Sequence, residues 1–324
     1  MSSVKATIKT TLKTSLRSHP IYLPQVSSTP LMASYTDSCG DIFVDNSMDN
    51  CPQIDGGVPL VFLHGFLSNK SCWDGLISLL AQDYRCIALD LLGFGASSKP
   101  QIRYDVPTMV AFVVEFLKGM GIDRALIIGH SFGAWVGAAT ALYTLDNSSN
   151  SSNLDSSNNP NNPDNLQIMG LGLIGAAGIR DDSFCGKYDQ YRPLLWATPL
   201  VDWALYLATP LGKLTGRQAE LDKIRWFREE LMANPAARSF VVDRIRPEDA
   251  VDTIEKEIYR LHLPTLVIAG AEDETIPLWH SQTYAQEIKG AKLAIIPQAD
   301  HSLPQNYPRE IHQLLQNFLE NSIA

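Results

Sequence analysis

Five residues constrain this chain more than any others. They are Gly129-His130-Ser131-Phe132-Gly133, set directly behind the apolar run Ala125-Leu126-Ile127-Ile128. An alanine-rich stretch of helical character follows, from Ala134 to about Leu142. A serine at a sharp strand-to-helix turn is held in a strained backbone with its hydroxyl pushed outward. Gly129 and Gly133 carry no side chain, so strand and helix can close around it. The free N–H groups of the helix N-terminus lie beside the hydroxyl, where negative charge on an oxygen would be stabilised. The pentapeptide alone has a second reading, a glycine-flanked serine in an ordinary βα turn.

Three further segments bear on that choice. Leu60-Val61-Phe62-Leu63-His64-Gly65-Phe66 reads as a buried strand ending in His-Gly. The loop after such a strand can supply a second oxyanion donor, here the N–H of Phe66 or of Leu67. The His64 side chain is read as structural, bonded to loop backbone. Leu266-Val267-Ile268-Ala269-Gly270 is an apolar strand that runs into Ala271-Glu272-Asp273. A carboxylate at the C-terminal end of a strand shares its sheet edge with the serine, where open α/β sheets place their sites. Asp273 is preferred over the flanking Glu272 and Glu274, with a surface acid as the plainer reading. Leu293-Ala294-Ile295-Ile296-Pro297 leads into Gln298-Ala299-Asp300-His301. Of the seven histidines, His301 is the one that follows the last strand in this way. The chain order Ser131, Asp273, His301 is one of three orders in which serine triads occur.

These motifs, with Asp90-Leu91-Leu92-Gly93-Phe94-Gly95-Ala96-Ser97 behind the strand Arg85 to Leu89, resemble those of the α/β-hydrolase family, in family order from about residue 58 to the C-terminus. The resemblance implies a mostly parallel, eight-stranded sheet with helices on both faces and an inserted helical cap. It implies Ser131 as nucleophile, His301 as general base and acid, Asp273 as its orienting carboxylate, and the N–H groups of Phe66 and Phe132 as the oxyanion hole. Asp300 departs from the glycine that relatives often carry before the histidine, and could perturb His301. Some relatives place the acid one strand earlier, which makes Asp181 or Asp182 the fallback.

Four parts are expected: residues 1–57 as N-terminal tail and edge strands, 58–178 as the first half of the core, 179–262 as the cap, and 263–324 as the second half. Helices are expected over Ser71 to Gln82 and Val106 to Met120, and a strand near Ile168 to Ile174. Residues 146–165 are nearly devoid of apolar side chains and are expected to form a disordered Asn/Ser-rich loop. Within the cap region, Tyr188, Tyr191, Trp196, Trp203, Tyr206, Trp226 and Phe227 are expected mainly as cap packing, with some lining an apolar pocket. Leu194 to Leu211 holds a single charge, Asp202, but Pro199 and Pro210 break the run, which argues against a membrane span. Lys223 to Pro247 mixes arginines with acids and reads as a solvated helical surface.

At a net charge of −9 a nucleic-acid-binding role is not suggested. Five cysteines without a C-x-x-C spacing read as free thiols in a reducing compartment, hence a cytoplasmic protein; a Cys39–Cys51 bridge has no positive support. The first residues are basic, with Lys5, Lys9, Lys13 and Arg17 beside Val4, Ile8, Leu12 and Leu16. Three readings stand: a basic tail, an organelle-targeting segment, or peripheral membrane contact. No metal-ligand spacing or dinucleotide fingerprint is seen, so no metal or cofactor is expected.

A serine at the elbow favours attack on a carbonyl, unlike relatives that use aspartate against an sp³ carbon. The main expectation is hydrolysis of a carboxylic ester or related small apolar acyl substrate through an acyl-enzyme. A carbon–carbon hydrolase or an acyltransferase is the enzymatic alternative, and a hydrolase-fold binding protein the non-enzymatic one.

Overall fold

Leu60-Val61-Phe62-Leu63 has no polar position on which a solvated face could form, and a strand of this kind must be covered on both sides. The computed structural model describes residues 16–39, 58–150, 166–181, 198–243 and 252–322. In it the apolar runs form the centre of an eight-stranded sheet of order β1-β2-β4-β3-β5-β6-β7-β8. The strands are β1 (Arg17–Ile21), β2 (Leu31–Asp37), β3 (Leu60–Leu63), β4 (Cys86–Leu89), β5 (Arg124–His130), β6 (Gln167–Ile174), β7 (Thr265–Gly270) and β8 (Lys292–Ile296). From β4 to β8 all neighbours are parallel, whereas β1 and β2 join antiparallel at one edge.

Side chains alternate across a strand, so one strand feeds two cores. Leu60 and Phe62 enter one core, with Trp73, Leu76, Leu80, Ile311 and Leu315. Val61 and Leu63 enter the other, with Met109, Phe112, Val113, Ala134 and Ala138. The first face is covered by α1 (Asp74–Leu80), α9 (Leu303–Asn306) and α10 (Pro308–Ser322). The second is covered by α2 (Val106–Gly119), α3 (Phe132–Asn150) and α8 (Leu278–Glu287). Between β6 and β7 the chain leaves the sheet and forms α4 (Pro199–Leu207), α5 (Thr209–Leu214), α6 (Gln218–Ala233) and α7 (Pro235–Asp243).

Several expectations need correction. The helix expected over Ser71 to Gln82 is a short 3₁₀ turn, Lys70–Trp73, followed by α1. Asn69 caps the start of this turn by accepting the Ser71 N–H, as an N-cap side chain does. The loop expected from Asp146 does not begin there, because α3 continues to Asn150. A helix already nucleated extends at little cost, even through residues of modest propensity. Residues 151–165 lie outside the described ones. Of the aromatic residues expected as cap packing, Trp203, Tyr206 and Trp226 are exposed, and Phe227 is partly buried against the core. Tyr188, Tyr191 and Trp196 lie outside the described residues. Arg228 is buried and ion-paired with Asp202, so Lys223 to Pro247 is not a uniformly solvated surface. Cys72 and Cys86 are free, but Cys39 is disulfide-bonded to a partner outside the described residues, against the free-thiol expectation. No helix among the described residues is long and apolar enough to cross a membrane.

Candidate active site

The elbow takes the strained geometry its sequence demands. Ser131 has φ of 53°, in the left-handed region that costs a residue with a Cβ about 1–2 kcal/mol. Its N–H is bonded to the Ile174 carbonyl at 2.8 Å, which ties the turn to β6. A Cβ on Gly129 would stand 2.4 Å from the Gly133 carbonyl oxygen, and one on Gly133 would stand 2.1 Å from the Leu63 oxygen. Both glycines are therefore required by close approach of backbone to backbone.

Three sheet strands deliver the candidate catalytic groups to one edge. Ser131 follows β5, Asp273 follows β7 and His301 follows β8. The Ser131 Oγ lies 2.9 Å from His301 Nε2, and His301 Nδ1 lies 2.7 Å from Asp273 Oδ2. Asp273 is almost fully buried, and its other oxygen accepts the N–H groups of Thr275 (2.9 Å) and Ile276 (2.8 Å). Both carboxylate oxygens are thus engaged, so the side chain is fixed in the orientation that meets the imidazole. With Nδ1–H donated to Asp273, Nε2 is left as the acceptor for the serine proton. The fallback acids do not fill this place. Asp181 instead faces His280, 3.5 Å from its Nε2, and Asp182 lies outside the described residues. Asp300 is turned to the surface, where it accepts the Ser302 N–H at 2.9 Å.

The backbone donors expected for the oxyanion are open. Among the described residues, neither the Phe66 nor the Phe132 N–H donates to a protein acceptor. Leu67, next to Phe66, has φ of 53°, so the loop behind β3 is held in a conformation that costs energy. His64 anchors this loop, as expected of a structural histidine. It is fully buried; its Nε2 accepts the Leu91 N–H at 3.0 Å, so its proton sits on Nδ1 and is donated to the Gly65 carbonyl at 2.7 Å. Burial holds its pKa below the ordinary value.

Two features of the site were not singled out in the sequence. His130, the second residue of the pentapeptide, is buried beneath the catalytic candidates. Its Nε2–H donates to the His301 carbonyl at 2.8 Å, and the two rings lie 4.8 Å apart. Desolvation, reinforced by the neighbouring His301, pushes its pKa down to about 3. A neutral ring here places no positive charge against the imidazolium that His301 becomes when it takes a proton. The only sequence signal was its adjacency to Ser131. The second feature is Asp90, fully buried. It accepts the Lys70 N–H (2.7 Å), the Lys70 ammonium (2.5 Å) and the Ala96 N–H (2.9 Å). Burial alone would raise its pKa, but these hydrogen bonds outweigh it and hold the carboxyl below the usual range. The pair joins the loop behind β3 to the loop behind β4. The sequence marked Asp90 as part of a motif, but Lys70 lay just before an expected helix with nothing to show its partner.

The surroundings of the serine are aromatic. Phe132 packs edge-on against Phe66, Trp135 and Phe240, with ring centroids 6.3, 5.9 and 4.9 Å away. Phe94 joins from the loop behind β4. Phe240 belongs to α7, so the helical insertion reaches the elbow itself.

A hydroxyl, a base and an orienting carboxylate at the carboxyl edge of a parallel sheet define a class before any comparison, that of hydrolases built on a doubly covered α/β sheet. The profile of the Alpha/beta hydrolase family matches residues 60–314, and this chain belongs to that family. Among curated proteins it is similar to 2-hydroxy-6-oxo-6-(2'-aminophenyl)hexa-2,4-dienoic acid hydrolase of Metapseudomonas resinovorans. The two are 24% identical, over 81% of this chain and 84% of that protein. It is also similar to 2-hydroxymuconate semialdehyde hydrolase of Pseudomonas sp. (strain CF600), 26% identical over 85% of this chain and 91% of the relative. Among solved structures, a thermophilic esterase from Thermogutta terrifontis superimposes with a TM-score of 0.64. It is 18% identical, over 95% of this chain and all of that one, and supports the fold alone.

Proposed function

We propose that this protein is a serine hydrolase that cleaves a carboxylic ester, or a related small apolar acyl substrate, through an acyl-enzyme. The observation that carries the reading is the continuous relay from Ser131 Oγ through His301 to Asp273, at 2.9 and 2.7 Å. His301 Nε2 takes the serine proton as Oγ attacks the carbonyl carbon. Asp273 holds the imidazole tautomer and stabilises the imidazolium. The N–H groups of Phe66 and Phe132 receive the oxyanion, each such donor contributing on the order of 3 kcal/mol. His301 then protonates the leaving alcohol, and water activated by the same histidine releases the acid. The aromatic surround of Phe132 favours an apolar acyl group and excludes water from the reacting atoms. On this reading the helical insertion acts as a cap, with α7 contributing Phe240 to the pocket wall.

A second reading is favoured by the relatives. A 2-hydroxy-6-oxo dienoic acid contains no ester or amide, so a hydrolase named for it must break a carbon–carbon bond beside a carbonyl. The same serine relay can attack that ketone. A single comparison separates the two. Fluorophosphonate labelling, blocked by Ser131→Ala, establishes the nucleophile. Turnover of p-nitrophenyl esters of increasing acyl length is then measured against that of a 2-hydroxy-6-oxo-6-phenylhexadienoic acid. The ester reading expects kcat/KM for the best ester to exceed that for the dienoic acid. The reverse order establishes the carbon–carbon hydrolase, and failure of labelling removes both.

A further inference from the structure

Helices in water turn apolar side chains inward and polar ones outward. The first two helices of the insertion do the opposite. No residue of α4 is buried. Leu200, Trp203, Tyr206 and Leu207 on α4 and Leu211 and Leu214 on α5 are all between 65% and 85% exposed. Besides the packing of Leu221 on Gly212, polar contacts hold these helices to α6. Arg228 of α6, itself 4% exposed, pairs with Asp202 at 2.6 and 3.0 Å and donates to the Thr198 carbonyl at 3.3 Å. Arg225, one turn earlier, donates to the Leu205 carbonyl at 2.6 Å and to the Thr209 hydroxyl. The cations lie beneath and the leucines above, an arrangement suited to apolar surroundings on the outer side.

Charge selects among apolar partners. The protein carries −9 overall, yet from residue 198 to 217 its only acid is Asp202, which Arg228 engages. Lys213 and Arg217 stand at the far end of α5, both exposed. Within residues 198–217 Lys213 and Arg217 outnumber Asp202, and an anionic lipid surface matches this local excess of cations. Trp203 and Tyr206 are residue types that favour the boundary between headgroup and acyl chain. At nine residues α4 spans about 14 Å, far too short to cross a bilayer.

We propose that α4 and α5 form a face that lies on an anionic lipid bilayer, with Leu200, Trp203, Leu207 and Leu211 entering the headgroup–acyl boundary. Binding is interfacial and independent of which bond the active site cleaves.

The test uses the full chain with vesicles of phosphatidylcholine, with and without phosphatidylglycerol. The expected result is co-flotation that strengthens with phosphatidylglycerol and weakens with salt. Tryptophan emission shifts to the blue and is quenched by brominated lipid, and Trp203→Phe removes most of that quenching. Leu207→Ser with Leu211→Ser lowers partitioning by about tenfold or more, from the lost transfer of two apolar side chains. Turnover of a soluble ester stays unchanged in that variant, as both side chains are largely exposed and neither belongs to the relay or to the aromatic group around Phe132. The proposal is overturned if the wild-type protein fails to float with either vesicle, or if the double variant floats as well as wild type. It is equally overturned if the wild-type protein is a dimer in solution that the double variant splits without any vesicle binding, because the face then belongs to a second copy.

Discussion

Around Ser131 the protein buries polar groups and gives nearly each of them a partner; along α4 and α5 it exposes leucines and tucks its arginines underneath. His64, Asp90 and His130 are buried within a few residues of the reacting atoms. Each is held by hydrogen bonds that reach across loops from different strands. Such a network is costly to leave unsatisfied, so it tolerates one arrangement and gives the site its precision. In the insertion, by contrast, the polar contacts fasten one helix to another and leave the outer surface without such constraint. The first region holds the candidate catalytic groups in one arrangement; the second leaves apolar side chains outside and meets the elbow through Phe240.

The largest effect that could break this contrast is at the nucleophile. Ser131→Ala is expected to lower kcat by about 10⁶, since triad members act as a unit. Ser131→Gly should be equally inactive yet more stable than Ser131→Ala by about 1 kcal/mol, because glycine adopts φ of 53° without the Cβ penalty. Urea denaturation of the two variants measures that difference. Residual turnover above a few per cent in either one would remove Ser131 from the role.

Next in size is the orienting acid. Asp273→Asn is expected to cost about 10⁴ in kcat, by presenting the wrong tautomer to His301. Asp181→Asn should change kcat by no more than a few-fold, as Asp181 faces His280 instead. The opposite ranking in steady-state kinetics would move the acid to the loop behind β6.

The buried histidines sharpen the contrast through acid stability. His64, His130 and His280 all have pKa values lowered, first by desolvation. Each is neutral in the fold and takes up a proton on unfolding once the pH drops below about 6.5. The unfolded state then binds more protons, so stability falls as the pH falls. For His130 the loss approaches about 1.4 kcal/mol per pH unit within its window. That window runs from the ordinary 6.5 down to about 3. Denaturation midpoints at a series of pH values check the slope, which His130→Leu should reduce by about one proton. An unchanged slope would mean that His130 is already solvated in the fold.

The smallest effect is expected in the insertion. Trp203, 68% exposed, is not part of the core. Trp203→Ala should therefore alter stability by no more than about 0.5 kcal/mol, and turnover of soluble esters by less than about twofold. A selective fall in kcat/KM for bulky esters would instead place Trp203 at the pocket.

The core strands and the three candidate catalytic residues could be read from the chain because local pattern dictates them. Continuous apolar runs specify doubly covered strands, and a glycine-flanked serine between a strand and a helix specifies a strained turn. Asp273 and His301 could be named because each ends such a run. Nothing local revealed that Lys70 would reach Asp90, that His130 would hold the His301 carbonyl, or that Asp181 would turn to His280. Those pairings join residues 20, 171 and 99 positions apart, and only the closing of the sheet brings them within reach. The insertion misled the sequence reading for a related reason. Apolar residues on a helix report that a face seeks apolar surroundings, not whether those lie inside the protein. It took the position of α6, with Arg225 and Arg228 beneath α4 and α5, to turn that face outward.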